Sequence, residues 1–517
     1  MLFYILDKEN KMDVNQIVIL DLGSKYSQVI ARRVRELGVY SILLPYNTKA
    51  SYIHSLKNVQ GIILCGGSNS VFSETVVIID EEIYNLGIPI LSICYGMSAV
   101  MLGGSVSKAN SGKDKVLLNV DKNALLFNNF SKRLSVWMSN CDKLSKLPQG
   151  FKEIAFNQDY PYAAIGNEAR NIYLVQFQPE INIKEIDIIE NFLFNICRTK
   201  SDWSIDKYIA ETIKEIRTKV ADQKVLCGLS GGVDSTVTAV LLNKAIGDNL
   251  KCIFVDHGLL RKHEKEQVMN TFCREFKIDV TFVDSKDRFL TKLEGVSDPE
   301  QKRKLIGKEF IDVFSETTNK FGDYPFLAQG TLYTDIIESG TNNGSVIKSH
   351  HNVGGLPKDM KFKLLEPLKT LFKDEVRLLG KALGISEDII NRQPFPGPGL
   401  AIRVIGEVTE SKLNIVREAD YIIQEEIKQA KLNHDIWQYF AVLTNIKTVG
   451  VMEDKRTYAY TIGIRAVTSI DGMTANWARI PYGILENISN RIINEVNGVN
   501  RVVYDITSKP PGTIEWE

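Results

Sequence analysis

Histidine is scarce in this chain: six in 517 residues, at 54, 257, 263, 350, 351 and 434. His54 is the only one before residue 257, so chemistry in the first half that needs an imidazole has one candidate. Cysteine is sparse too. Seven are scattered at 65, 94, 141, 197, 227, 252 and 273, an odd number without a Cys-x-x-Cys pair. That argues against a disulfide framework or a zinc site and fits reduced thiols in a cytoplasm. No charge excess exists, because Lys+Arg and Asp+Glu are both 63. Duplex-binding proteins carry a basic excess or stripe, so nucleic acid is not an expected partner. No apolar run approaches the roughly 18 residues of a membrane span. The short apolar start, residues 1–6, lacks a basic n-region, and residues 1–15 read as a frayed extension. Internal repeats and low-complexity tracts are missing as well. What remains, 44% apolar and 24% charged, is ordinary for a globular protein. At roughly 100–200 residues per domain, the length implies about three domains.

The first 200 residues alternate strand-like and helix-like stretches. Buried apolar runs at 16–21 (QIVILD), 61–65 and 88–93 surround a helical pattern at 27–37. Such alternation predicts a doubly wound α/β layer with ligands at the carboxyl ends of its strands. A polar stretch at 198–202 reads as a linker. A helix over 203–220 then precedes a strand, 225–229, which runs into SGGVDS (230–235) and an apolar helix, 236–245. This opens a second α/β domain, expected to fade at RQPFPGPG (392–399), too rich in Pro and Gly for a helix or strand interior. The last 120 or so residues read as a mixed α+β unit. The expected organisation is therefore 1–15, 16–200, 201–395 and 396–517: two doubly wound α/β domains followed by an α+β domain.

A strand, then SGGVDS, then a helix is a physical arrangement for holding phosphate. Glycines let the backbone approach an anion, and the helix N-terminus offers unpaired N–H groups and the positive end of its dipole. Ser230, Ser235 and Thr236 add hydroxyl donors. No Gly-Lys-[Ser/Thr] follows, so this is not a Walker A loop, and simple γ-phosphoryl transfer is disfavoured. Asp234 would repel phosphate unless Mg²⁺ lay between them. Asp335 and Glu338, three apart on a predicted helix, share a face and could hold Mg²⁺ or substrate.

The loop resembles the pyrophosphate loop of N-type ATP pyrophosphatases, which cleave ATP between the α and β phosphates. Further segments resemble the GMP synthetases within that superfamily: VDHGLLR (255–261), LAQGTLY (327–333), IKSHHNVGGLP (347–357), RQPFPGPGLAIR (392–403) and DITSKPPGTIEWE (505–517). The resemblance covers the chain from residue 16 onward. It implies ATP-dependent amination of XMP through an adenylated intermediate, releasing AMP and PPi, with Mg²⁺ as cofactor. Position by position, it implies that Ser230, Gly231, Gly232, Val233, Asp234, Ser235 and Thr236 hold ATP phosphates. Lys348, His350 and His351 fall on a lid and would neutralise charge during adenylyl transfer. Lys509 and Glu515 fall where the family binds XMP, and Asp335 is a further candidate to bind it. The C-terminal domain is the family's dimerisation domain, so a cytoplasmic homodimer is expected. Four departures leave these elements in place: Thr334 for Pro, Gln393 for His, Glu453 for Gly and Asn476 for Asp.

Residues 16–200 resemble a class I glutamine amidotransferase, whose Cys–His–Glu triad releases ammonia from glutamine. Cys94, in ICYG (93–96), stands where the nucleophile does. Gly66 and Gly67, in LCGG (64–67), match the oxyanion-hole loop. VQFQPE (175–180) matches the segment with the other two triad members, yet only Glu180 is present; Gln178 replaces the histidine. Ser92 stands for the family's Gly, Ser98 for its glutamine-binding Gln, and Asn140 for a His. The expectation is a synthetase fed by free ammonia, with glutamine a doubtful donor. The alternatives are residual glutaminase activity through another base, or a different pyrophosphatase of the same superfamily.

Overall fold

The computed structural model describes residues 14–24, 26–67, 70–72, 77–94, 96–108, 115–138, 142–179, 187–340, 362–452, 454–469, 472 and 474–517. They divide into two compact units, one ending at Tyr208 and the other beginning at Ile209.

The first unit is built on a nine-stranded sheet. In chain order its strands are β1 (Gln16–Leu22), β2 (Tyr40–Pro45), β3 (Val59–Gly66), β4 (Ile90–Ile93), β5 (Lys115–Val120), β6 (Arg133–Trp137), β7 (Lys152–Phe156), β8 (Ala164–Asn167) and β9 (Ile172–Val175). Their spatial order is β2-β1-β3-β4-β9-β8-β7-β5-β6. The five from β2 to β9 run parallel and the rest antiparallel. The apolar runs become β1, β3 and β4 because strands covered on both faces need unbroken hydrophobic sequence. Helix α1 (Ser27–Glu36) buries Ile30, Ala31 and Val34, an i, i+1, i+4 stripe.

The polar stretch read as a linker is fastened to this unit. Ser201 Oγ donates to Leu37 O (3.0 Å), Trp203 N donates to Gly38 O (2.8 Å), and Asp202 accepts from the Asn15 amide at 3.1 Å. Trp203 packs on Tyr40 and Tyr208. Polarity there serves a seam of specific hydrogen bonds, which composition alone does not distinguish from solvation.

The second unit contains a five-stranded parallel sheet: β10 (Val225–Leu229), β11 (Leu250–Asp256), β12 (Val280–Asp284), β13 (Phe326–Ala328) and β14 (Lys363–Leu365), ordered β12-β11-β10-β13-β14. Its flanking helices include α2 (Val233–Ile246), α3 (Pro299–Thr318), α4 (Tyr333–Gly340) and α5 (Lys373–Ala382). A second sheet follows: the long hairpin β15 (Gln438–Met452) and β16 (Lys455–Thr468), with β17 (Asn476–Trp477) and β18 (Val499–Asp505) both paired to β16. Helices α6 (Glu410–Gln429) and α7 (Tyr482–Glu495) pack with it.

One hydrophobic cluster joins Leu226, Ile253 and Val255 of the parallel sheet to Val416 and Ile423 of α6, Ile462 and Ile464 of β16, and Ile488 and Ile492 of α7. The turn Gly399–Arg403 sends Leu400 and Ala401 into that core. Residues 209–517 therefore share a continuous core across the Pro/Gly-rich stretch. Among the described residues, no helix is long and apolar enough to cross a membrane.

Candidate functional site

The order of the second unit's parallel sheet puts β10 at a switch point, with its successor in sequence, β11, on one side and β13 on the other. Ligands of such sheets sit beyond the carboxyl end of that strand, where SGGVDS lies. Ser230 and Ser235 hydroxyls are 3.0 Å apart, and Gly232 N donates to Ser230 Oγ at 3.3 Å. Thr236 differs from expectation. It is buried and its hydroxyl donates to Gly232 O at 2.8 Å, so its proton serves the first helical turn.

Two distant segments brace the loop. Arg392, opening the Pro/Gly stretch, donates to Gly231 O at 2.9 Å and pairs with buried Glu264 at 2.9 Å. Lys373, at the start of α5, spans both oxygens of Asp234 at 2.6 and 2.7 Å. Gly330 follows β13, and a Cβ there would lie 3.1 Å from the Asp234 carbonyl carbon. A side chain there would press on the Asp234 backbone. The loop itself has no phosphate-clamping lysine; a cation comes from 139 residues away. A signal for it exists: lysine in a helix's first turn opposes the helix dipole, so it needs another reason to be there.

The Asp234–Lys373 pair occupies the position where Mg²⁺ was expected. Asp335 uses Oδ2 to accept Leu332 N at 2.9 Å, bracing the turn into α4. The side chain of Glu338 lies outside what is described, as do Lys348, His350 and His351. The described carboxylates do not fit a protein-held Mg²⁺ as they stand, because Asp234 is neutralised by an ammonium. His257, in VDHGLLR, accepts Leu259 N on Nδ1 at 3.0 Å, and burial pushes its pKa down. It is a neutral structural imidazole.

At the C-terminal segment, Lys509 exchanges both backbone hydrogen bonds with Ala475 (2.7 and 3.0 Å), and its ammonium donates to Gly472 O at 2.8 Å. An ammonium has three protons, which leaves donors for an anion. Glu515 accepts from Arg403 Nε and Nη2 (3.2 and 3.1 Å) and from Gln438 at 2.8 Å. Fully buried Arg465 gathers the carbonyls of Thr507, Thr513 and Ile514 and pairs with Asp505. Arg403, Gln438 and Arg465 were not among the sequence candidates: in a strand or turn, nothing in the pattern separates a buried arginine from an exposed one.

In the first unit the elbow is well formed. Cys94 follows β4 with φ +57, a left-handed conformation rare for a side-chain-bearing residue. Its N–H donates to Val175 O at 2.9 Å, extending the β4–β9 ladder by one residue. A Cβ on Gly66, at the carboxyl end of β3, would lie 2.6 Å from the carbonyl oxygens of both Ile93 and Cys94. Glycine is required there for the elbow to pack. Gly67 is equally close to Gly23 O, 2.6 Å from its would-be Cβ. Register thus brings Gly66, Cys94 and Gln178, three residues beyond β9, to one end of the sheet.

Two serines and a glutamine lie around the elbow. Ser92 and Ser98 are both buried, with hydroxyls 2.7 Å apart. Gln178 N donates to Trp137 O at 3.0 Å, and its Oε1 is buried without a partner among the described residues. Buried Asp142 holds Ser70 Oγ at 2.6 Å and Val71 N at 2.7 Å. Glu180 and Asn140 lie outside the described residues. His54 sits in the helix Ala50–Ser55, which leads into the amino end of β3. Val59, at that end, and Gly66 are seven residues apart at about 3.3 Å each, so His54 lies at the far end of the strand from the elbow.

Comparisons with known proteins match three stretches of the chain. Residues 18–196 match the family described as glutamine amidotransferase class-I, 205–309 match NAD synthase, and 425–516 match the GMP synthase C terminal domain. A glutamine-hydrolyzing GMP synthase of Lactobacillus gasseri is 57% identical over 516 residues, 99% of this chain and 100% of that one. Another, from Bacillus thuringiensis subsp. konkukian, is 56% identical over 512 residues, 98% of this chain and 99% of that one. Two α/β units with these loops, and that identity along nearly the whole length, mean that the chain belongs to the GMP synthase family.

Proposed function

We propose that this chain converts XMP to GMP with ATP, entering as its Mg²⁺ complex, and with free ammonia as the nitrogen donor. The observation that carries the ATP step is the pyrophosphate-type loop at the switch point, closed by the Lys373–Asp234 pair. The XMP 2-oxygen attacks the α-phosphorus of ATP, forming a P–O bond as the bond to the β-phosphate oxygen breaks and PPi leaves. Ammonia then adds at C2, AMP departs with the oxygen, and a proton is lost to give GMP. Backbone N–H groups at the start of α2 and the Lys373 ammonium offset phosphate charge. Lys509 takes the XMP phosphate and Glu515 the purine N–H, while Lys348, His350 and His351 neutralise charge during adenylyl transfer. Stoichiometric AMP and PPi from XMP, MgATP and ammonium test the reading; stoichiometric ADP overturns it.

The reading of the first unit rests on Gln178. A thiol has an ordinary pKa near 8.5, so about a few per cent is thiolate at neutral pH. The triad imidazole takes the thiol proton and later gives one to the departing ammonia. A neutral amide can donate or accept a hydrogen bond but cannot move a proton. Glu180 then has no imidazole to orient. The glutamine-hydrolyzing relatives favour a second reading, residual glutaminase activity through another base. Parallel assays with ammonium and glutamine separate the two.

We also infer a homodimer formed through residues 396–517. Support comes from the hairpin β15–β16, where Val449 faces Tyr458 across the ladder and Val451 follows on the same face. All three are exposed, Val451 by 74%. Grouped apolar exposure of this kind marks contact surfaces. Sedimentation of the full chain at micromolar concentration checks it, and a monomer there overturns it.

A further inference from the structure

Lys302 lies one turn into α3, in a run (PEQKRK) whose charge reads as a solvated surface. Its side chain is nevertheless fully buried. A buried ammonium is tolerated only where acceptors meet its protons. Lys302 has three: Val404 O at 2.8 Å, Ala401 O at 3.3 Å, and the side-chain carboxylate of Glu517. Burial pushes its pKa down, and the Glu517 carboxylate works against that. The other carboxylate oxygen of Glu517 accepts Gly406 N at 3.0 Å, and its carbonyl accepts from Arg303.

Two residues earlier, Glu515 is gripped by Arg403, the neighbour of Val404. Lys302 thus joins three pieces of chain at one atom: a helix flanking the ATP-side sheet, the turn around 401–406, and the run 513–517. Each acceptor alone could be met by solvent or a backbone donor. A single cation meeting all three fixes their relative placement.

We propose that Lys302 is a positioning residue for XMP, holding the Glu517 carboxylate and with it the run that carries Glu515. This rests on the reading that Lys509 and Glu515 bind XMP. Lys302 touches no substrate, so its loss acts through placement. Misplacement by even an ångström is enough to weaken a binding or reacting geometry on the order of tenfold or more.

The test is steady-state kinetics of the full-length Lys302→Met variant with ammonium, varying XMP and MgATP separately. The KM for XMP should rise on the order of tenfold, while the KM for MgATP stays within about twofold. Unchanged KM values in a folded variant overturn the proposal, as does an equal rise in both, which reports general disruption. If Lys302→Met does not fold, Glu517→Gln keeps the side-chain shape and removes the charge. It should show the same selective rise in the KM for XMP, and no rise overturns the proposal. Lys509→Ala, measured by direct XMP binding, separates the premises. Intact binding there defeats the reading of the segment. Lost binding there, with Lys302→Met unaffected, defeats the role of Lys302 alone.

Discussion

The elbow of the first unit and the phosphate loop of the second occupy equivalent places. Each follows a parallel strand, at the carboxyl end of its sheet. They differ in what their polar groups face. In the phosphate loop, Asp234 faces Lys373, Gly231 O faces Arg392, and both cations come from segments distant in the chain. At the elbow, two buried serines face each other and Gln178 Oε1 faces nothing described. The backbone of the elbow is held by packing: the β4–β9 ladder, the glycine at 66, the positive φ of Cys94. None of those depends on the imidazole. A nucleophile elbow can therefore stay well formed where its proton relay is lost, so the shape of the turn is not evidence that the chemistry runs.

The largest expected effect bears directly on that contrast. With XMP and MgATP, ammonium should give turnover while glutamine gives background; general acid–base catalysis is worth on the order of 10²–10⁴. Equal rates from the two donors, with Cys94→Ala abolishing only the glutamine reaction, would reverse the reading of the first unit. Next, Lys373→Met and Asp234→Asn should each lower kcat by roughly 10²–10³ with ammonium, as expected on removing a group aimed at developing phosphate charge. Full activity in either would take that residue out of the site. Smaller still is the gain from Gln178→His alone. Triad members act as a unit, and Ser92 and Ser98 remain, so glutamine-dependent turnover should rise less than about tenfold. Recovery to the ammonium rate would show that the histidine was the only loss.

Legibility in the sequence follows what each feature depends on. The α/β character, the strand–loop–helix at 225–246 and the elbow at Cys94 were readable because continuous apolar runs and adjacent glycines encode them locally. Counting alone shows that His54 is the only imidazole before residue 257. Lys373, Arg392 and Lys302 were not assigned these roles, because each acts across a long stretch of chain and its own neighbourhood looks like an ordinary helix start, turn or charged surface. The continuous core of residues 209–517 was missed for a related reason. The Pro/Gly stretch at 392–399 interrupts secondary structure, but Leu400 and Ala401 immediately re-enter the same hydrophobic cluster. Local breakers end elements, not cores.

The smallest predicted effect tests whether the two serines at the elbow are one change or two. Their hydroxyls are 2.7 Å apart and buried. Replacing one partner of a buried pair strands the other and costs about 1–3 kcal/mol, whereas replacing both by apolar groups is nearly neutral. Ser92→Ala and Ser98→Ala should therefore each lower protection of the β4 amides against hydrogen exchange, which reports local opening. The double variant should regain most of it, giving a coupling of roughly 0.5–1.5 kcal/mol in the cycle. Additive losses would mean that the two hydroxyls are satisfied independently. Coupling has a consequence for rebuilding the glutaminase. Ser98→Gln alone leaves Ser92 without its partner and presses a longer side chain into a space a hydroxyl now fills. The exchange needs Ser92→Gly at the same time, which removes both the orphaned hydroxyl and its bulk. Gln178→His with the paired Ser92→Gly and Ser98→Gln should therefore recover more glutamine-dependent turnover than Gln178→His with either serine change alone, and an equal yield from a single change would separate the two positions.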